Sequence, residues 1–386
     1  MTLQCALLLR DGHVIDPLND MDGIADIAIS DGKIVAIGPG VEAHADRTIS
    51  LSGLYVTPGL IDLHVHAYGG YEGWLFPDQQ ALPNGVTTVV DTGGAGWKHF
   101  TEFKETIIDR STTRVLAFLN IVGAGMTGPP EQDVTEMDPE PCAATILDNP
   151  GVLVGTKAAH FGGPGWEASG GAIQAARLSG TMAMIDFAPR PTRTYAELLE
   201  RMAPGDIHTH VYAAHIPLLD ERKKINTYVW EARERGIIFD TGHGGGSFWF
   251  RIAVPALKQG FPPDTISTDL HKASRLLPNA TMPVTIAKFL AMGMPLQEAV
   301  FRSTQRPAEV LRRPELGHLG PGAEADIAVF DLIDGDFGFV DSGAARLRGN
   351  QRLECQMTLR AGRIVWDLNG LSRPDWETAG EYRRLP

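Results

Sequence analysis

The sequence predicts an α/β protein: a (β/α)8 TIM barrel with a small β-sandwich domain built from both chain ends. Three observations predict it. Short apolar, β-like runs alternate with helix-like stretches through the middle of the chain at intervals of roughly 25–35 residues. Strand–turn–strand patterns fill the beginning of the chain and return near its end. Glycine (43) and proline (26) are abundant, as many tight turns require.

The elements follow in order. Leu7-Leu8-Leu9-Arg10-Asp11-Gly12-His13-Val14-Ile15 and Ile27-Ala28-Ile29-Ser30-Asp31-Gly32-Lys33-Ile34-Val35 each read as a hairpin. Met357-Thr358-Leu359-Arg360-Ala361-Gly362-Arg363-Ile364-Val365 repeats the pattern, and Ala325-Asp326-Ile327-Ala328-Val329-Phe330 reads as a further strand beside it. Between them lie eight β-like runs, at 61–66, 87–91, 115–121, 152–158, 182–187, 206–211, 236–241 and 265–270. Helix-rich stretches such as 195–202 and 225–235 separate them. The 386 residues are too many for one small core and fit a domain of about 250 residues plus a smaller one. The small composite domain is placed at 1–57 plus 320–386 and the barrel at 58–319.

A net charge of −13, without a basic block, argues against nucleic acid and anionic membrane surfaces as partners. No apolar run approaches the ~20 residues that span a bilayer. The apolar start at 5–9 is cut short by Arg10-Asp11-Gly12, so it reads as a strand and not as a signal peptide. Three scattered cysteines, Cys5, Cys142 and Cys355, suggest a reducing compartment, and a cytoplasmic location is expected.

Chemistry concentrates at the ends of the eight runs, where barrels of this kind carry their active sites. His64 and His66, two apart on a strand, point the same way and form half of a metal site. Lys157 lies in the fourth run, Asp186 ends the fifth, His210 the sixth and Asp269 the eighth. A cation among them would neutralise the buried aspartates. It would repel a lysine ammonium, so Lys157 must be neutral or converted by carbon dioxide to an anionic carbamate.

The chain resembles the amidohydrolase superfamily, and within it the dihydroorotase-like amidohydrolase/deacetylase metallohydrolases. The resemblance is carried by Pro58-Gly59-Leu60-Ile61-Asp62-Leu63-His64-Val65-His66, Gly85-Val86-Thr87-Thr88-Val89-Val90-Asp91 and Thr113-Arg114-Val115-Leu116-Ala117-Phe118-Leu119-Asn120-Ile121. Gly205-Asp206-Ile207-His208-Thr209-His210, Phe239-Asp240-Thr241-Gly242-His243-Gly244 and Ile266-Ser267-Thr268-Asp269-Leu270-His271 continue it, and Gly320-Pro321-Gly322-Ala323-Glu324-Ala325-Asp326 closes it. The matches run in order over nearly the whole chain.

The resemblance implies two divalent metal ions, zinc first and manganese or iron otherwise. His64, His66 and Asp269 would hold the more buried ion. A carboxylated Lys157 would bridge both, Asp186 and His210 would hold the second, and a bridging hydroxide would be the nucleophile. It also implies a homo-oligomer acting on a small molecule. One departure stands out, because the family pattern has a histidine where this chain has Asp186. A carboxylate can still ligate zinc or manganese; the alternative is a salt bridge and an empty second position. His208, on the face of His210 by strand alternation, could compensate from a layer deeper or simply pack in the core.

Around the expected rim, His243 in its glycine-rich loop, His271 and Tyr68 are assigned to substrate contact. Arg190, or Arg193 in the same loop, is assigned to clamping a substrate carboxylate. His160 is a weaker candidate. The expected function is hydrolysis of an amide or ester (acyl or acetyl) bond, with Asp269 as general base and then acid. Cyclic-amide hydrolysis, ring deamination and a non-catalytic structural role are the alternatives.

Overall fold

The computed structural model describes residues 3–381; positions 1–2 and 382–386, the extremities of the expected composite domain, lie outside the described residues. Among the described residues, seven parallel strands follow one another in chain order. They are Leu60–Val65, Val86–Gly96, Arg114–Asn120, Leu153–Ala158, Met182–Ile185, Ile207–His208 and Ile238–Phe239, barrel strands one to seven. An eighth segment joins the two edges of this sheet. It bridges strand seven at Asp240–Thr265 and strand one at Val65–Leu270, both in parallel.

The strands read as continuous apolar runs because both of their faces are buried. One face fills the barrel, where Ile61, Leu63, Val90, Phe118, Met184, Ile207 and Ile238 form a single cluster. Leu311 and Leu316 complete that cluster, and Leu316 closes the end where the strands begin, beside Gly59 and Thr87. Each such side chain contributes about 1.5–3 kcal/mol by leaving water. The other face packs against the surrounding helices.

Strands six to eight are much shorter than their apolar runs suggest. The backbone is left-handed at His210 (φ 61°), Gly242 (φ 46°) and Asp269 (φ 46°), just beyond the paired residues. Non-glycine residues held there cost about 1–3 kcal/mol each. The turn breaks the ladder and swings the side chains of His210 and Asp269 over the barrel mouth.

A second, eight-stranded sheet combines Leu3–Asp16, Met21–Ser30, Lys33–Gly38, Ala43–Ser50 and Tyr55–Pro58 with Ile327–Val340, Arg346–Arg360 and Arg363–Asp367. Residues from both chain ends, among them Leu9, Val14, Ile27, Val56, Val329 and Met357, share one core cluster. Two of the expected hairpins are present. Their turns are Asp31-Gly32 (φ 50° and 75°) and Ala361-Gly362 (φ 49° and 74°), the paired positive values that suit two-residue hairpins. The hairpin expected at 7–15 is not formed. Asp11 (φ 61°) and Gly12 make a bulge within one continuous strand. The Asp26 carboxylate holds this bulge by accepting from Asp11 N (3.0 Å) and Val41 N (3.1 Å). Among the described residues, no helix is long and apolar enough to cross a membrane.

The hairpin formed by Ile327–Val340 and Arg346–Arg360 reaches the barrel. At its tip Asp341 accepts from Gly343 N (2.9 Å), Ala345 N (2.8 Å) and Phe250 N (2.8 Å), the last opening the barrel helix Phe250–Lys258. Ser342 N donates to Phe248 O (2.8 Å), and Phe248 N donates back to Ser342 Oγ (3.1 Å). Asp341→Ala strips these backbone donors of their acceptor and is expected to cost about 2 kcal/mol. A lowered urea midpoint with unchanged slope would show it; an unchanged midpoint would mean that the tip does not support the barrel.

Candidate active site

The residues at the mouth come from different strand ends. His66 Nε2 lies 2.9 Å from Asp269 Oδ1, and His64 Nε2 lies 3.5 Å from the same oxygen. All three residues are buried, and their ligand atoms lie within 4.8 Å of one another, a grouping that can hold a divalent cation. Burial would raise the Asp269 carboxyl, but His64, His271 and His66 hold it well below the usual carboxylate range. Burial, reinforced by Lys157, keeps His64 neutral.

Hydrogen bonds set the tautomers. Thr209 Oγ1 donates to Asp240 Oδ2 (2.8 Å), so at His64 Nδ1 (2.9 Å) it must accept. His64 therefore carries its proton on Nδ1 and keeps the Nε2 lone pair for a ligand. His210 Nδ1 likewise donates to Gly242 O (2.6 Å), leaving Nε2 free, 3.7 Å from Asp186 Oδ2. Buried carboxylates fasten the surrounding backbone. Asp91 accepts from Ala67 N (2.7 Å), Tyr68 N (3.1 Å) and Gly94 N (2.7 Å), just past His66. Asp62 accepts from Thr268 N (3.0 Å) and Thr268 Oγ1 (2.5 Å), next to Asp269, and burial pushes its carboxyl up to about 7.

Lys157 is buried, and its Nζ has no hydrogen-bond partner among the described residues. Burial pulls its pKa down against the opposing pull of Asp186, Asp269, Asp240 and Asp91. A Cβ at Gly93 would stand 2.8 Å from the Lys157 stem, so glycine there makes room for it. His66 Nδ1 is also buried without a partner. A set of imidazoles, carboxylates and one orphaned amine fits a cation site, whose bound groups would use this spare polar capacity. Asp186 completes the group. Burial opposes its ionisation, yet His210, His160, Lys157 and His215 hold its carboxyl at about 2.

A cavity of about 340 Å³ opens over these groups, lined by Asp186, His210, Asp269, His160, His215, His271 and Arg190. His271 sits beside Asp269, its Nδ1 donating to the Asp269 carbonyl (2.8 Å). Arg190 is exposed on the rim, while Arg193 is buried and donates to Phe161 O (2.6 Å) and Gly165 O (3.2 Å), bracing the loop. Two expected substrate contacts lie elsewhere. His243 is completely buried, stacked on Phe248 (centroids 4.5 Å apart) with Nε2 2.8 Å from Lys288 Nζ. Tyr68 turns outward onto Phe103 and reaches Glu102, while the Tyr71 ring stands 5.0 Å from that of His66. His208 packs between Tyr195 and Phe239, on the helix side of the sheet. The left-handed turn at His210 breaks the alternation that would have put both histidines on one face.

Sequence reading missed Asp240, Glu131 and His215. Asp240 left the clearest signal, as a carboxylate inside an apolar strand beside hydroxyl-bearing neighbours. Glu131 lies in the short 3-10 helix Pro129–Gln132 and His215 in a loop, where no apolar strand pattern marks them.

No family model matches the chain. It is 35% identical to a deacetylase of Agrobacterium fabrum over 328 residues, covering 81% of this chain and 79% of that protein. Among solved structures it is similar to an adenine deaminase (TM-score 0.87, 28% identity, 94% of this chain and 100% of the other). It is also similar to a dihydroorotase (TM-score 0.85, 31% identity, 94% and 99%).

The buried Lys288–His243 pair gives a pH signature. Burial lowers the Lys288 pKa to about 7 from its ordinary 10.5. Between those values the unfolded chain binds the extra proton, so stability rises with pH, by at most about 1.4 kcal/mol per unit from this group. Lys288→Met should flatten the rise in unfolding free energy measured from pH 7 to 9; an unchanged slope would refute the shifted lysine.

Proposed function

The chain belongs to the amidohydrolase superfamily, and on that premise we propose that it is a metal-dependent hydrolase that removes an acyl group, amide- or ester-linked, from a small molecule. One observation carries this reading. His64, His66 and Asp269 converge at a barrel mouth with Lys157, Asp186 and His210 around them.

His64, His66 and Asp269 would hold one divalent ion, Asp186 and His210 would hold another, and carboxylated Lys157 would be a further oxygen ligand. Carboxylation joins Lys157 Nζ to carbon dioxide and releases one proton, turning an orphaned amine into an anionic oxygen ligand. When bound, such ions, zinc or else manganese or iron, would supply Lewis-acid chemistry at this mouth, polarising a carbonyl and making a water more acidic. Asp269, an ionised carboxylate beside the site, would act as general base on the attacking water and then return the proton to the leaving nitrogen or oxygen. The acyl–heteroatom bond breaks, giving a carboxylic acid and an amine or alcohol. Arg190 on the rim gives the cavity a cation for a substrate carboxylate.

Acetate release from small N-acetyl and O-acetyl carboxylates, assayed beside dihydroorotate opening and ammonia release from adenine, tests the reading. Activity with the acetyl compounds is expected; turnover of adenine alone would make the chain a deaminase. Asp269→Asn should keep the fold by circular dichroism and lower kcat at least about 1,000-fold. Full activity in that variant would remove Asp269 from the proton path. Arg190→Ala should raise KM for carboxylate-bearing substrates about 10-fold or more with little change in kcat. A fall in kcat alone would argue against a clamp.

A further inference from the structure

Asp186 stands where the resemblance places a histidine, which leaves the second ion short of one nitrogen donor. The structure offers another. His160 follows strand four, and its backbone is left-handed (φ 54°), in a loop beside the cavity that its side chain lines. Two adjacent residues hold it. Glu131 Oε2 lies 2.9 Å from His160 Nδ1, and Glu131 is itself buried, its Oε1 accepting from Gly128 N (3.2 Å). Gln132 fixes the backbone, its Nε2 donating to His160 O (2.8 Å) and its Oε1 accepting from Gly162 N (2.8 Å).

The hydrogen bonding, though not the burial, repeats what holds His210: the His160 side chain is half-exposed and that of His210 is buried. In each case an acceptor takes the Nδ1 proton and leaves Nε2 towards one carboxylate oxygen. Asp186 Oδ2 is 3.9 Å from His160 Nε2 and 3.7 Å from His210 Nε2. Donors around a tetrahedral zinc with bonds of about 2.0–2.1 Å stand about 3.4 Å apart. Each of these two separations lies within about half an ångström of ligand spacing, but the three donors do not already converge as His64, His66 and Asp269 do, so the imidazoles must close on the ion. A carboxylate partner on the remote nitrogen is the usual support of a metal-bound histidine.

We propose that His160, oriented by Glu131, is a ligand of the second metal ion and supplies the imidazole that Asp186 has displaced. The inference rests on the two-metal reading above. The competing arrangement is an imidazolium that only pairs the Glu131 and Asp186 carboxylates.

The test is metal content by elemental analysis and zinc affinity by equilibrium dialysis, with cobalt substitution as a spectroscopic readout. The parent should bind about two ions per chain and His160→Ala about one, with the first retained, which also shows that the variant is folded. Glu131→Gln keeps the imidazole and should weaken the second ion about 10–100-fold. The cobalt absorption bands of the second site should change in both variants. His160→Ala holding two ions with parental affinity and spectrum overturns the proposal and leaves the two-metal reading intact. A parent that binds one ion overturns that reading, and the proposal with it.

Discussion

One buried carboxylate joins the fold to its site. Asp240 accepts from Thr209 Oγ1 (2.8 Å), Thr265 Oγ1 (2.6 Å) and Ser267 Oγ (2.8 Å), which belong to the sixth and eighth segments on either side of it. Those segments have few ladder bonds, because the chain turns left-handed at His210 and Asp269. Side-chain hydrogen bonds to an acceptor in a low-dielectric interior replace the missing backbone ones. Through Thr209 the same carboxylate fixes the tautomer of His64. The interaction that joins the sixth, seventh and eighth segments thus also orients one of the imidazoles proposed to hold an ion.

The buried carboxylates divide by environment, although they share one mouth. Asp62 and Asp240 hold backbone and hydroxyl groups, and burial pushes both up. Asp186 and Asp269 face imidazoles, and those neighbours overcome burial to hold both down. Residues of one chemical type are separated by what surrounds them, into fasteners and groups kept anionic for a cation or a proton.

Much of this was legible in the sequence. His64, His66, Lys157, Asp186, His210 and Asp269 are polar groups set in apolar runs, and strand spacing suffices to direct them to one rim. What strand spacing does not carry is the direction of side chains after a backbone turn. His208 and His210 share parity, yet a single positive φ separates them. His243 lies among glycines, a composition that suggests a substrate-facing loop, but Phe248 and Lys288 pack it inside. Asp11-Gly12 has the composition of a turn and forms a bulge, because Asp26, fifteen residues away in sequence, accepts its backbone donor. In the last two cases a partner distant in sequence decides between two locally acceptable conformations.

The small sheet has a reach that its position at the chain ends conceals. The tip at Ser342 touches Gly244 O (3.4 Å), and Gly244 lies so close to Asp269 that a side chain there would strike the carboxylate. Only one residue therefore separates the hairpin from the proposed proton carrier. A change in the length of this hairpin would therefore reach the rim at Gly244 and, through it, the setting of Asp269. The two sheets thus meet at the mouth as one mechanical unit, and a change near the end of the chain is felt at a carboxylate of the site.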